Sequence, residues 1–265
     1  MATREMGVRV MQTTKQIARI EELAANAWPA ACVQMMDGWR LRYTGGTSRR
    51  INSVWPNLEL GDIPLEDKLA LAEEFYARRG QLPRFQICPA AQPDDLAQVL
   101  KKRGYRAHAN TQVQICTVDF VEPRIQTPLA AEVEITAQLP EAWLDFYAEV
   151  ESYSGARKAI RQGVLTRIGP RTGFATLRAE GSILAIGLSV LERGWLGLFC
   201  MLTHPDHRRK GLASAILLAL VKGGQQAGAT HTYLQVMENN PPALAMYARA
   251  GYQPLYTYSY LEKRA

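Results

Sequence analysis

"THPDHRRKGLAS", Thr203 to Ser214, sets a dense run of basic and imidazole side chains directly before small and apolar residues. A helix that opens near Leu212 leaves its first backbone N–H groups without intrahelical partners and carries a partial positive charge at that end, so it attracts anions. Gly211 permits a positive φ or a ligand at close range, and Ala213 and Ser214 keep the first turn narrow. Arg208, Arg209 and Lys210 add formal charge around that turn. Leu212, Ile216 and Leu220, with Leu217 and Val221, recur at helical spacing and fix the predicted helix against a sheet. A solvated basic turn has the same composition, so the stretch alone leaves both readings open. No GxxxxGK[ST] is present and no GxGxxG follows a strand, which excludes a Walker loop and a dinucleotide fingerprint.

Working outward, the second half predicts a helix in "LPEAWLDFYAEVESY" and three strands in "TGFATLRAEGSILAIGLSVLERGWLGLFCMLT", turned at "EGS" and "ERG". After the basic stretch come a strand, "THTYLQV", a helix, "PPALAMYARAG", and a strand, "YTYSYLE". The first half runs similarly: a helix over Thr14 to Ala25, strands at "WRLRY" and "INSVWP", then helix "LEDKLALAEEFYARRG", strand "RFQIC", helix "PDDLAQVLKKRG" and strand "TQVQICTVDF". Gly80 and Gly104 stand 24 positions apart, and Gly228 and Gly251 stand 23 apart, each pair enclosing a strand and the helix that a "GY" closes. A duplicated αβαβ module is expected, with domains at 1–122 and 128–265 and the Pro-punctuated "VEPRIQTPLAAE" as linker.

Composition sets the outer bounds. The chain has 265 residues, 47% of them hydrophobic, which is enough for sizeable cores. Its longest apolar runs, such as "LASAILLALV", fall short of the roughly 20 residues of a membrane span, and the N-terminus lacks a signal peptide's apolar core. A soluble cytoplasmic protein is expected. Cys32, Cys88, Cys116 and Cys200 form no CxxC pair, so they suggest neither zinc nor a disulfide framework. The net charge of +6 favours anionic partners without identifying one.

Two segments carry a family resemblance. Arg208-Arg209-Lys210-Gly211-Leu212-Ala213 resembles the R/Q-x-x-G-x-G/A signature of the GNAT N-acetyltransferase superfamily. "NNPPALAMYARAGY" resembles its N-x-x-A-x-x-x-Y-x-x-x-G-F/Y segment at Asn240, Ala243, Tyr247, Gly251 and Tyr252. The resemblance covers about Leu129 to Ala265 and implies an α/β (α+β) protein of two GNAT-like domains. Each would be a mixed, mostly antiparallel sheet flanked by helices, with a splayed strand pair in the C-terminal domain. In the first half Asp62, Glu66 and Asp67 stand where the signature would place Arg and Gly. Carboxylates there would repel a diphosphate, so that half resembles a degenerate copy without an acyl-CoA site.

The resemblance implies an acetyl-CoA-dependent N-acetyltransferase acting on a primary amine of a small molecule, peptide or protein. The pyrophosphate would sit on the backbone from Arg209 to Ser214, that is Arg209, Lys210, Gly211, Leu212, Ala213 and Ser214, with Arg208 beside it. The pantetheine arm would pair with the strand edge at Met201, Leu202 and Thr203 as an extra strand. Tyr247 is the implied general acid for the leaving thiolate, a role typically worth about 10²–10⁴ in rate. Asn240 would touch the arm, or would simply cap its helix ahead of Pro241. Acetyl-CoA is the only cofactor implied, with no metal.

Other candidates stay weaker. Glu238, Glu149 and Glu151 are possible general bases, although surface carboxylates are usually solvated. His204 and His207 read as turn residues, and the four histidines show no metal-ligand spacing. Tyr256, Tyr258 and Tyr260 share one face of a strand and are expected to pack. Arg49, Arg50, Asn52 and Trp55 interleave basic and aromatic residues as a nucleic-acid site does, but a hairpin loop is favoured and no RNA-binding motif supports the alternative. Nucleic acid and membrane are therefore not expected partners, and a homodimer stays open. The runner-up function is a non-catalytic acyl-CoA-binding regulatory or scaffold protein.

Overall fold

The structure, a computed structural model, describes residues 2–125 and 132–263, with side chains from Thr14 onward. The middle of the expected linker, 126–131, lies outside the described residues. The elements in the first half are α1 (Ala2–Ala27), β1 (Cys32–Met36), β2 (Trp39–Tyr43), β3 (Val54–Trp55), α2 (Leu65–Ala77), β4 (Arg84–Ile87), α3 (Leu96–Lys102), β5 (Arg106–Thr117) and α4 (Val118–Val121). Then come β6 (Val133–Thr136), α5 (Glu141–Val150), α6 (Ala156–Thr166), β7 (Arg171–Ala179), β8 (Ser182–Glu192), β9 (Trp195–Thr203), α7 (Leu212–Gln226), β10 (His231–Met237), α8 (Pro241–Arg249) and β11 (Gln253–Glu262). This is a mixed α/β protein whose strand pairings are mostly antiparallel.

Two compact units emerge. One holds residues up to Glu22, Trp28–Gln112 and the C-terminal residues from Tyr256; the other holds Leu23–Ala27 and Val113–Leu255. They divide the chain differently from 1–122 and 128–265. The reason is strand placement: β11 lies beside β4, with its residues from Tyr256 in the first unit, and β5 is divided, Arg106–Gln112 in the first unit and Val113–Thr117 in the second.

In the first unit the strand order is β1, β2, β3, β4, β11, with β3 parallel to β4. Trp39, Leu41, Val54 and Phe85 meet Leu69, Ala72 and Tyr76 of α2 in its core. The first turn of α2 carries Glu66 and Asp67. Asp37 accepts the Asp62 and Ile63 N–H groups at 3.1 and 3.3 Å and pairs with the fully buried Lys68 at 3.0 Å. Of "INSVWP", Ile51 ends a 3-10 turn, Arg49–Ile51, and only Val54–Trp55 is strand. Asn52 explains this. Its side chain accepts from Thr44 N–H and Gly46 N–H and donates to the Thr44 and Ser48 carbonyls, knitting the loop from within. Trp55 is buried and donates to Glu21 at 2.8 Å, so its ring is turned inward. Tyr256, Tyr258 and Tyr260 are all buried, and Tyr256 donates to Glu21.

In the second unit the order is β10, β9, β8, β7, β6. The hairpins at "EGS" and "ERG" form as read, with β7 on β8 and β8 on β9 antiparallel. Strand β10 then lies parallel to β9, and a parallel pair requires a crossover, which α7 supplies. Leu212, Ile216, Leu217, Leu220 and Val221 are buried against Ala175, Leu177, Leu196 and Leu198, so the apolar stripe read from the sequence is the packing face of α7. The reading missed β1, α6 and β6, and it carried the strand "TQVQICTVDF" through Val118–Phe120, which belong to α4.

Candidate active site

The site is built on a fault in the sheet. On its β8 side β9 is irregular: the register shifts between Ile186 and Leu188, and Cys200 holds a left-handed φ of +51°. Such a bulge bends the strand and increases its twist. On its other side the ladder with β10 runs only from Trp195 opposite His231 to Leu198 opposite Leu234, although β9 continues to Thr203 and β10 to Met237. The two strands therefore pair at one end only. Leu202 and Thr203 pair with Ile186 and Ala185 of β8, which leaves the β10-facing edge of Met201, Leu202 and Thr203 outside that ladder.

From Thr203 the chain enters the basic turn. His204 N–H donates to the Leu184 carbonyl at 2.9 Å, and His204 Nδ1 accepts from Asp206 N–H at 3.3 Å, capping the 3-10 turn Pro205–His207. The histidines thus serve the turn. Arg209 and Gly211 then take left-handed φ values of +64° and +78°, with Gly211 at the helix N-cap. Positive φ suits glycine and strains arginine. The first helical bond in α7 runs from Ala215 N–H to the Gly211 carbonyl at 3.0 Å, so the N–H groups of Leu212, Ala213 and Ser214 have no partner inside the helix. Arg208, Arg209 and Lys210 are exposed around them. The arrangement can bind a polyanion through backbone and side chain together.

Helix α8 supplies the second segment. Asn240 caps it, its side-chain oxygen accepting from Ala243 N–H at 3.3 Å ahead of Pro241 and Pro242. Tyr247 is buried in the same apolar cluster as Leu198, Leu234 and Val236, from the strands where the fault opens. Its ring meets that of Tyr252 edge-on at 5.7 Å, and the Tyr252 hydroxyl pairs with that of Thr232 on β10 at 3.1 Å. Burial pushes the Tyr247 hydroxyl well above the usual tyrosine range, so it holds its proton. Gly251 ends the helix with φ +94°, and a Cβ there would come within 2.7 Å of the Phe120 ring.

An aromatic group beside the bulge escaped the sequence reading. Tyr147 of α5 stacks on Trp143 at 5.7 Å, and Arg161 of α6 lies 5.1 Å from the Tyr147 ring and 5.6 Å from that of Tyr153. Burial pushes the Tyr147 hydroxyl up, the Cys200 thiol adds to this and Arg161 opposes it. Phe146 meets the His204 ring at 6.4 Å. The periodicity of α5 was visible, but the stack depends on α6, whose start at Gly155 gave no recognised signal. Glu149, Glu151 and Glu238 are exposed, and the Glu151 carboxylate is near enough to push the Tyr147 hydroxyl up further.

Known proteins share this architecture. The curated "Uncharacterized N-acetyltransferase YobR" of Bacillus subtilis (strain 168) is 27% identical over 250 residues, covering 94% of this chain and 99% of that one. Among solved structures, the "GCN5-related N-acetyltransferase from Kribbella flavida" aligns with a TM-score of 0.66 at 18% identity, over 94% of this chain and 95% of that one. The "Tandem GNAT protein from the clavulanic acid biosynthesis pathway" aligns at 0.64 and 15% identity, over 80% and 76%. At these identities the two structures speak for the fold. The fold is thus that of GNAT proteins, and the curated relative bears the name of an N-acetyltransferase. Within that class, residues 14–261 match the family described as "Probable histone acetyltransferase Rv0428c C-terminal", and the chain belongs to it.

Proposed function

We propose that the chain moves the acetyl group of acetyl-CoA to a primary amine of a small molecule, peptide or protein by direct attack on the thioester. The observation that carries this reading is the junction of β9 with α7: a strand edge released by its neighbour leads, through a basic turn, to three unpartnered helix N–H groups. The fit to the co-substrate is chemical. The pantetheine amides need a strand edge, which Met201, Leu202 and Thr203 offer, and the pyrophosphate needs N–H donors and cations, which Arg208 to Ser214 offer. Asn240 fixes where α8 begins and so supports the same wall.

In the reaction the neutral amine nitrogen bonds to the thioester carbon and the carbon–sulfur bond breaks. Tyr247 gives its proton to the departing sulfur, and the new amide nitrogen loses a proton to solvent. A hydroxyl kept protonated by burial is suited to that donation. The same reading places the enzyme in a reducing cytoplasm, supported by four cysteines that form no disulfide among the described residues. Among the described residues no helix is long and apolar enough to cross a membrane.

Acetyl-CoA should therefore raise the melting temperature of the intact chain. A ligand confined to the native state stabilises it by about 2.7 kcal/mol at one hundred times its dissociation constant. An unmoved melting curve at millimolar acetyl-CoA would remove the co-substrate from the account.

A further inference from the structure

Strand β1, Cys32–Met36, is the outer strand of the first unit's sheet: β2 pairs with one side of it and no described strand pairs with the other. Asp37 and Gly38 join it to β2 with left-handed φ values of +44° and +88°, a two-residue turn of the kind that favours Asp-Gly. In such a hairpin the residues flanking the turn, Met36 and Trp39, exchange backbone hydrogen bonds, and the bonding then alternates along the ladder. Met36, Gln34 and Cys32 therefore spend their N–H and C=O groups on β2. Val33 and Met35 point theirs outward.

The same two residues expose apolar side chains, Val33 at 48% and Met35 at 59%. Edges left open in this way usually carry a charge, a proline or a bulge that deters pairing. "CVQMM" has neither charge nor proline, and its register with β2 is unbroken. The charges nearest to it are engaged elsewhere. Arg40, opposite Met35, lies over the Trp55 ring at 4.5 Å, and Arg42, opposite Val33, is buried and donates to Gln86 at 2.8 Å. Asp37 is buried against Lys68. By contrast β6, the outer strand of the second unit's sheet, carries the exposed Glu134. Strand β1 is also held in place before any partner arrives, because Ala31 N–H donates to Thr44 Oγ1 at 2.8 Å just ahead of it. Docking on it then costs little ordering.

We propose that β1 pairs antiparallel with β1 of a second copy of this chain, about a two-fold axis at Gln34. Such an axis sets one patch against itself. Val33 falls opposite the partner's Met35, and Met35 opposite the partner's Val33, so the outward N–H and C=O groups pair at both places and the apolar side chains meet across the strands. Gln34 falls opposite the partner's Gln34. Its amide holds both donor and acceptor and can bond its own copy, as neither a lysine nor a glutamate could. A neutral strand also suits a second copy of a chain whose net charge is +6, since charged surfaces of two such copies repel. The pairing does not rest on the acetyl-CoA reading.

Sedimentation equilibrium of the intact chain over about 1–100 µM, a span that brackets a micromolar constant, should give a mass approaching twice 29.5 kDa. Gln34→Lys and Gln34→Glu should each raise the dissociation constant by about tenfold or more, through like charges held face to face, and an equimolar mixture of the two should restore the dimer. Gln34 is exposed, so both variants should fold, and rescue in the mixture checks that they do. The Val33 and Met35 amide protons should exchange more slowly in concentrated than in dilute protein. A parent that sediments as a single chain throughout overturns the proposal, and so does a dimer that neither substitution weakens. Protection of Val33 and Met35 that appears only when an extended peptide is added overturns it too, and gives the edge to that peptide.

Discussion

Replacing Tyr247 by phenylalanine should cut turnover by about 10²–10⁴ while acetyl-CoA binds as before. The ring stays, so its packing against Tyr252 is kept, and the hydroxyl that is lost has no hydrogen-bond partner among the described residues. Stability should accordingly hold, which separates a role in chemistry from one in folding. The pH dependence has a defined sign. A donor works only while protonated, and burial raises the Tyr247 pKa, which moves the loss of that proton to higher pH. The parent should therefore show no alkaline decline from this group below the ordinary tyrosine value of about 10. A Tyr247→Phe variant that turns over like the parent would return the residue to a packing role.

Gly211→Val should lower acetyl-CoA affinity by about one hundredfold, near 2.7 kcal/mol. At φ +78° a β-branched side chain is strained by about 1–3 kcal/mol, and relief of that strain turns the first N–H groups of α7 away from their common direction. Some stability is lost as well, so a second variant isolates the binding effect. Asparagine tolerates left-handed backbone, and Gly211→Asn should recover most of the melting temperature yet still bind weakly, because its side chain stands where the pyrophosphate approaches. Retained affinity in both variants, measured by calorimetry, would show that the phosphate turn lies elsewhere.

The parts of this site that lie close together in the sequence were legible there. Gly211 with its preceding cations marked the start of α7, and the spacing from Asn240 to Tyr252 marked α8, because each is a local helix signal that needs no distant partner. The hairpins at Glu180 and Arg193 were legible for the same reason. What stayed hidden depends on contacts across the chain. The short edge strands β1 and β6 have little internal patterning and exist because β2 and β7 pair with them. For Asn52 the sequence favoured a hairpin loop over a recognition loop, but its four bonds to that loop's own backbone were not legible there. The pairing of β11 with β4 left no trace in composition, since β11 reads as a strand wherever it pairs.

The central claim is that this chain transfers acetyl groups to an amine, and thiol release tests it most directly. Purified protein with saturating acetyl-CoA should be challenged with polyamines, amino acids, aminoglycoside-like amines, lysine-bearing peptides and free peptide N-termini, with free coenzyme A and acetylated product both quantified. The account predicts release of coenzyme A in equal amount to an acetylated amine for at least one class, lowered about 10²–10⁴-fold by Tyr247→Phe. Tight binding of acetyl-CoA with no thiol released in the presence of any of these amines would contradict it and leave a protein that holds the co-substrate without turning it over.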